Sequence, residues 1–347
     1  MSRDELVNDI RKLDFNDILL SPVGSTDIIS RSEIDISDGN KMLPLFTAPM
    51  DTVVDSNNYP LFKELGINIC LPRGEVGGSE VFHSYSLKDF KKIFIEDNPE
   101  GVSISKQYIL IDTANGHIED MIKTVKEAKK IWGDNMSLMV GNVANPDTYR
   151  ILSEAGADYI RVGIGNGGGC LTTQQTGVGY PMASLIRETY YVSCLLDKPA
   201  KIVADGGFQK YSDIIKALAL GADYVMLGSI FNKCLESCGQ NYIWKKVRIT
   251  QEGANKGYNL GLSVYKKFRG MSTKEVQKKW GNQILKTSEG VVRYRKVEYT
   301  ISGWVQNFDS YLRSAMSYSN ARDLNEFVNN AKIIKISNNA YERFNKW

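Results

Sequence analysis

The sequence has little of the chemistry that marks several large protein classes. Its 347 residues include only two histidines and five cysteines, and the net charge is +3. An odd cysteine count argues against a disulfide framework and suits a reducing compartment. Like charges form no long run, which argues against nucleic-acid binding. No apolar run reaches the roughly 18 residues of a membrane span, and the first ten residues lack a signal peptide's apolar stretch. We therefore expect a cytoplasmic globular protein without a membrane or nucleic-acid partner.

Two of the cysteines, Cys234 and Cys238, have a spacing that would suit metal ligands on one helix face. Neither His83 nor His117 lies at zinc-site spacing from them. Buried small apolar side chains are therefore the simpler interpretation of both cysteines.

Short apolar runs alternate with amphipathic segments along most of the chain. The runs predicted as strands are 43–51, 67–72, 108–116, 137–145, 158–165, 201–207 and 223–229. Runs this apolar are typical of strands buried on both faces of a parallel sheet. The segments predicted as helices include 118–132, 146–156 and 211–221. This alternation, with no Gly-x-Gly-x-x-Gly opening the first unit, favours a (β/α)8 TIM barrel over an open dinucleotide-binding sheet.

Two segments interrupt the barrel pattern. The stretch from Asn98 to Tyr108 is too short for a strand and a full helix, so we expect a strand at 101–105 with its helix lost, and a slightly trimmed barrel. The segment 250–305 is rich in Lys, Gly and Gln and is predicted to be a long flap. We treat residues 1–347 as a single catalytic domain.

A glycine-rich loop after the run 158–165 carries the strongest chemical signal. Five of the eight residues from Gly163 to Cys170 are glycine, which costs backbone entropy and adds no apolar area. Such a loop leaves backbone groups free to approach a ligand and presents Cys170 as a candidate nucleophile. A flexible loop with an incidental cysteine is the alternative. Because strand ends of a barrel meet on one face, other polar residues should gather there: Asp51, Asp112, Asn115, Asn142, Asp205 and Ser229.

Motifs in a fixed order give the chain a resemblance to the IMP dehydrogenase / GMP reductase family, nearer to its GMP reductases. They are KLDFNDILLSP (12–22), APMDTV (48–53), DTANGH (112–117), GNV (141–143), CLTTQQTGVGYP (170–181), ADGG (204–207), VMLGS (225–229), FRGMS (268–272) and TSEG (287–290). The resemblance implies reductive deamination of GMP to IMP with NADPH, in a cytoplasmic homotetramer. The chain has no room for the paired CBS domains of many IMP dehydrogenases.

The resemblance also implies roles for individual residues. Cys170 would form a covalent thioimidate at C2 of the purine, and Thr172 with Glu289 would protonate the leaving ammonia. The nucleotide would contact Met50, Asp205, Gly206, Gly207, Gly228, Ser229, Arg269, Gly270, Met271 and Ser272. NADPH would contact Asp112, Ala114, Asn115, Gly116, Ser272 and Lys286, the last at its 2′-phosphate. A monovalent cation such as K+ would be held by the backbone carbonyls of Gly165, Gly167 and Cys170.

Several departures from the family pattern keep alternatives open. Gly168 replaces a serine that contacts phosphate, and the segment 71–83 lacks a lysine beside the base, for which Arg73 or His83 are the candidate substitutes. One alternative is IMP dehydrogenase, although the Arg-Tyr pair of its flap is absent before TSEG. The others are a reductase for a modified or deoxy purine nucleotide and a nucleotide binder without catalysis. Cys170, Thr172 and Glu289 together argue against the last.

Overall fold

The computed structural model describes residues 11–101, 103, 105–244, 247–270, 273 and 290–344. Its strands are β1 Ile18–Ser21, β2 Leu45–Thr47, β3 Cys70–Leu71, β4 Phe82–Tyr85, β5 Gln107–Asp112, β6 Met136–Val143, β7 Tyr159–Val162, β8 Lys201–Asp205, β9 Tyr224–Leu227, β10 Asn241–Ile243, β11 Val247–Ile249, β12 Val264–Arg269, β13 Val292–Lys296 and β14 Lys332–Lys335. The predicted site residues Met271, Ser272, Lys286 and Glu289 lie outside the described residues.

The helices fall mainly between the strands. The α-helices are Tyr59–Glu64, Leu87–Lys91, Glu119–Trp132, Pro146–Glu154, Thr172–Thr176, Met182–Ser193, Tyr211–Ala219, Ser229–Asn232, Gln251–Asn259, Ile301–Tyr318, Leu324–Asn330 and Asn338–Phe344. Short 3₁₀ turns lie at Phe15–Asp17, Arg31–Glu33 and Gly133–Asn135, and a π-helical turn lies at Lys92–Glu96. The three helices predicted from amphipathic segments are confirmed. Within the described ranges, no helix is both long enough and apolar enough to cross a membrane.

Strands β2 to β9 form an eight-stranded parallel sheet in the order β2-β9-β8-β7-β6-β5-β4-β3. The two edge strands also meet, because the Thr47 N–H donates to the Asn68 carbonyl at 3.0 Å and the Asn68 N–H donates to the Leu45 carbonyl at 3.0 Å. These bonds close the sheet into a ring. The predicted (β/α)8 barrel is confirmed, and each of the seven predicted strands contributes to it.

The eighth strand is β4, which corrects the prediction of a strand at 101–105. In the structure Phe82–Tyr85 pairs with β3 on one side and β5 on the other, whereas Gly101, Ser103 and Ser105 belong to no strand. The short sequence FHSY contains polar residues and so is not predicted as a barrel strand. It can nevertheless be buried, because its polar atoms form hydrogen bonds inside the protein. The buried Ser84 hydroxyl, for example, donates to the Leu71 carbonyl at 2.6 Å. The missing barrel helix is therefore the one between β3 and β4, where residues 72–81 form a loop.

Aromatic side chains fill the barrel near the start of several strands. The rings of Phe46 and Tyr224 have centroids 5.0 Å apart, and those of Phe82 and Tyr159 are 5.3 Å apart. Tyr108 packs edge-on against Phe82 at 5.5 Å. Because this cluster occupies the interior near the amino ends of β5, β7 and β9, the space inside the barrel opens at the carboxyl ends.

A four-stranded antiparallel sheet of order β11-β10-β12-β13 follows the last barrel strand. It begins at Asn241, before the predicted flap, and the flap's last residues belong instead to the barrel helix Ile301–Tyr318. Strands β12 and β13 pair in the register Phe268↔Arg293 and Arg269↔Val292. Their paired ends bring Gly270 and Gly290, on either side of the flap's central residues, to the mouth of the barrel.

Candidate active site

A cavity of about 620 Å³ lies at the carboxyl ends of the barrel strands. This volume is in the range of small-molecule sites. Its wall includes most of the predicted site residues that the structure describes: Met50, Asp112, Ala114, Gly165, Gly167, Cys170, Thr172, Asp205, Gly206, Gly207, Gly228, Ser229 and Gly270. The cavity is therefore the candidate active site.

The loop that carries Cys170 is fixed to the barrel and to the antiparallel sheet. The Gly163 N–H donates to the Val143 carbonyl of β6 at 2.8 Å, and the Val291 N–H, just before β13, donates to the Gly169 carbonyl at 3.1 Å. A Cβ on Gly163, whose φ is +136°, would lie 2.0 Å from the Asp205 carbonyl oxygen, so this position needs glycine. The backbone bonds and the close approach to β8 argue against a flexible loop with an incidental cysteine.

Cys170 and Thr172 form a side-chain pair in the cavity. The half-buried Cys170 thiol donates to Thr172 Oγ1 over 3.2 Å. Thr172 is the first residue of the helix Thr172–Thr176, which follows the loop directly. By contrast, burial raises the pKa of the Cys70 and Cys234 thiols, and neither lines the cavity. Of the five cysteines, all of which the structure describes, Cys170 is the one that lines the cavity, and it is therefore the candidate nucleophile.

A buried cation connects two carboxylates of the site. Arg161 on β7 is only 6% exposed, and it donates to Asp112 Oδ1 at 2.7 Å and to Asp205 Oδ2 at 2.8 Å. Burial disfavours its charge, but Asp205 and Asp112 together raise the pKa of the guanidinium above its ordinary value. Asn142 Nδ2 also donates to Asp205 Oδ2 at 2.8 Å. Since both bonds end on Oδ2, Asp205 Oδ1 keeps acceptor capacity for ligand hydroxyls.

Sequence reasoning missed the role of Arg161. The signal was a charged residue in the middle of an otherwise apolar strand, YIRV, where a buried charge needs paired partners. Arg73, proposed as a substitute for the family lysine, lines the cavity and donates to the Asp112 carbonyl, with Asp112 Oδ2 3.5 Å away. His83 is outside the cavity wall. Its Nε2 accepts from the Gly77 N–H at 3.0 Å, and burial lowers its pKa.

Glycines at two strand ends lie against the Cys170 loop and Met50. Gly206 and Gly207 follow β8 with φ of +96° and +88°, a region that favours glycine. A Cβ on Gly206 would lie 3.1 Å from the Gly167 nitrogen, and one on Gly228 would lie 2.9 Å from Met50 Sδ. The ends of β8 and β9 and the glycine loop therefore enclose one corner of the cavity with exposed backbone, a surface suited to an anion.

Three predicted site residues have other partners in the structure. Arg269 lies outside the cavity wall, and its Nη2 binds Asp51 Oδ2 at 2.5 Å. Asn115 and Gly116 belong to the loop after β5 but do not line the cavity. Asn115 Oδ1 accepts from the His117 N–H at 3.0 Å, and the Gly116 N–H donates to the Asn142 carbonyl at 2.8 Å.

The predicted cation ligands are backbone carbonyls rather than side chains. The Gly167 carbonyl already accepts the Cys170 N–H, and its second lone pair is the one that could face a cation. Among the described residues, no group of three or more His, Cys, Asp and Glu side chains is placed to hold a metal ion.

Comparisons with known proteins find relatives along most of the chain. A family model for the IMP dehydrogenase / GMP reductase domain matches residues 102–344. The chain is 29% identical over 364 residues to GMP reductase 2 of Bos taurus, covering 95% of each chain. It is 31% identical over 346 residues to a GMP reductase of Streptococcus gordonii, covering 93% of this chain and 95% of that one.

A third relative carries the family's other name. The chain is 32% identical over 229 residues to an inosine-5'-monophosphate dehydrogenase of Rhizobium tropici, covering 66% of this chain and 44% of that protein. The matched domain and these full-length relatives show that the chain belongs to the IMP dehydrogenase / GMP reductase family and is an oxidoreductase.

Proposed function

We propose that the protein is a GMP reductase, which converts GMP to IMP and ammonia at the expense of NADPH. The observation that carries the proposal is the 3.2 Å contact between the Cys170 thiol and the Thr172 hydroxyl inside the barrel cavity. The same cavity contains Asp205 and the glycine-lined corner. A nucleophile, a hydroxyl beside it and an acceptor for ribose thus share one chamber.

The reaction needs a nucleophile that can both add to the purine and leave it. As a thiolate, Cys170 adds to C2 of GMP, and departure of the amino group as ammonia leaves a thioimidate on the sulfur. Bound NADPH would supply the hydride that C2 accepts, after which the carbon–sulfur bond breaks and the thiolate is restored. Overall, the reaction consumes GMP, NADPH and protons and yields IMP, NADP+ and ammonium.

An amino group is a poor leaving group unless it is protonated as it departs. Thr172 touches the thiol that attacks C2, so its hydroxyl is well placed to relay a proton to that amino group. Glu289, which lies outside the described residues, directly precedes Gly290, and Gly290 pairs with Cys170 in an isolated antiparallel bridge. This backbone pairing supports a Thr172–Glu289 proton relay.

The remaining ligands are assigned by position in the cavity. Asp205 Oδ1 would accept the ribose hydroxyls, and the backbone at Gly206–Gly207 and Gly228–Ser229 would hold the 5′-phosphate. The loop after β5, with Asp112 and Ala114 in the cavity wall, would contact the nicotinamide. Lys286 would bind the 2′-phosphate of NADPH, and the carbonyls of Gly165, Gly167 and Cys170 would hold K+.

The test is turnover by the purified protein. GMP, dGMP and XMP are each incubated with NADPH or NADH, and loss of reduced nicotinamide is followed together with ammonia release. IMP with NAD+ is run in parallel for the dehydrogenase reaction. We expect one ammonia per NADPH oxidised with GMP, and no turnover by Cys170→Ala. Cys194→Ala, which changes an exposed thiol, is the matched control. Oxidation of NADPH without ammonia release, or turnover only of IMP with NAD+, contradicts the proposal.

A further inference from the structure

The side chain of Arg295 lies where the antiparallel sheet meets the barrel cavity. It belongs to β13, and its guanidinium carbon lies 4.5 Å from the ring centroid of Phe268, a residue of the cavity wall. Its Nε is buried and has no hydrogen-bond partner in the described part of the chain. Burial lowers the pKa of Arg295, and the nearby charge of Arg293 lowers it further. The group is thus a partly desolvated cation that an anion would stabilise.

Arg295 reaches the corner of the cavity that the strand-end glycines enclose. A Cβ on Gly168 would lie only 2.8 Å from Arg295 Nη2, and 3.6 Å from Ser229 Oγ. Gly168 and Ser229 both line the cavity. The guanidinium therefore occupies the space that any side chain at position 168 would take, directly beside Ser229.

The two described arginines of the cavity wall, Arg161 and Arg73, already have carboxylate partners. Arg161 is shared between Asp112 and Asp205, and Arg73 lies 3.5 Å from Asp112 Oδ2. Arg161 lies on β7 and Arg73 follows β3, and both contact Asp112 at the end of β5. At the Gly168–Ser229 corner the positive charge comes from Arg295 on β13, a strand outside the barrel.

We propose that Arg295 is a direct ligand of the nucleotide's 5′-phosphate, with Nη2 in the space left by the missing side chain of Gly168. The inference rests on the proposed function, because that function places a nucleotide phosphate at Gly206–Gly207 and Gly228–Ser229. A guanidinium provides paired donors that match phosphate oxygens, and such charge-assisted bonds are stronger than the neutral bond of a hydroxyl. It also links phosphate binding to the position of the antiparallel sheet.

The experiment compares two ligands that differ only in the phosphate. Binding of IMP and of inosine is measured by calorimetry for the wild type and Arg295→Gln. We expect the dissociation constant of IMP to rise about 10- to 100-fold and that of inosine to stay unchanged. Lys296→Gln is the matched control, since the exposed neighbouring side chain points to the opposite face of β13. Equal weakening of both ligands would assign Arg295 a structural role and overturn the proposal, as would unchanged IMP binding.

Gly168→Ala tests the position of the guanidinium without removing its charge. The added methyl group should displace Nη2 and weaken IMP binding in the wild-type background, but have little further effect in Arg295→Gln. Additive losses would contradict a shared contact. Inorganic phosphate alone should raise the Tm of the wild type more than that of Arg295→Gln, and an equal rise in both also counts against the proposal.

Measuring wild-type turnover distinguishes a failure of the proposed role of Arg295 from a failure of the proposed function. Wild-type oxidation of NADPH by GMP with unchanged IMP binding in Arg295→Gln overturns only the role of Arg295. Absence of wild-type turnover overturns the proposed function, while the phosphate comparison still decides whether Arg295 binds an anion.

Discussion

The guanidinium of Arg161 lies 2.8 Å from Asp205 Oδ2 through Nη2 and 2.7 Å from Asp112 Oδ1 through Nη1. One buried cation thereby joins the carboxyl ends of β5, β7 and β8. Asp112 lies on the proposed cofactor side of the cavity and Asp205 on the proposed ribose side. The positions of both carboxylates therefore depend on the same side chain.

Arg161→Met should destabilise the protein and weaken nucleotide binding together. The variant leaves two carboxylates in the cavity wall without their shared counter-charge, which typically lowers the free energy of unfolding by about 3–5 kcal/mol. Urea unfolding at neutral pH measures the loss, and the KM for GMP should rise in parallel. Arg150→Met, which removes an exposed arginine paired with Asp147 and Glu154, should change stability by less than about 1 kcal/mol. A variant as stable as wild type would show that the network contributes nothing to the fold.

Cys170→Ala should abolish turnover and leave IMP binding nearly intact. In the proposed mechanism the thiol is needed for the covalent step, whereas the ground-state complex would depend on Asp205 and the strand-end backbone. Steady-state turnover and calorimetric binding are measured on the same preparation. More than a few per cent of the wild-type rate in the variant would rule out a covalent mechanism.

Glu289→Gln should suppress ammonia release from GMP far more than hydride transfer between IMP and an oxidised cofactor analogue. The reason is that only the deamination half-reaction needs the Thr172–Glu289 proton relay. Thr172→Val, which removes the hydroxyl 3.2 Å from the Cys170 sulfur, should show the same imbalance. Single-turnover experiments on each half-reaction provide the comparison. Equal losses in both halves would indicate that these residues position the ligand instead.

Lys266 should make stability rise with pH above neutrality. Its side chain is fully buried, with Nζ donating to the Ser237 carbonyl at 2.5 Å. Burial lowers its pKa from 10.5 to about 8. Between pH 8 and 10.5 the unfolded chain binds more protons at this lysine than the folded chain does. The contribution of Lys266 to the free energy of unfolding therefore becomes more favourable by about 3 kcal/mol across this range.

The measurement is the difference in unfolding free energy between the wild type and Lys266→Met across that pH range. The difference cancels the opposing titration of buried groups elsewhere in the barrel, such as the phenol of Tyr149 on the helix Pro146–Glu154, whose pKa burial raises. The advantage of wild type over Lys266→Met should grow with pH. A difference that stays constant would show that Lys266 keeps its charge in the folded state.

Much of the fold and site could be read from local patterns. Seven barrel strands followed from buried apolar runs, and the candidate nucleophile followed from a cysteine on a glycine-rich loop after one of them. The strand Phe82–Tyr85 escaped prediction because its polar residues are satisfied by bonds to other strands, such as the Ser84 hydroxyl to the Leu71 carbonyl. The hydropathy of a segment does not show whether a neighbouring strand will supply hydrogen-bond partners for its polar side chains.

The sequence by itself determined the (β/α)8 architecture and the family, and it indicated Cys170, Thr172 and Asp205 as candidate site residues, because periodicity and motif order are properties of the chain. Only the tertiary structure decided which charges meet. It paired Arg269 with Asp51, joined Arg161 to two aspartates, and placed Arg295 against Gly168, more than a hundred residues away. Side chains so far apart in sequence become neighbours only when the barrel closes and the antiparallel sheet packs on its mouth. Charged groups buried there need partners of opposite charge, whereas in water they do not.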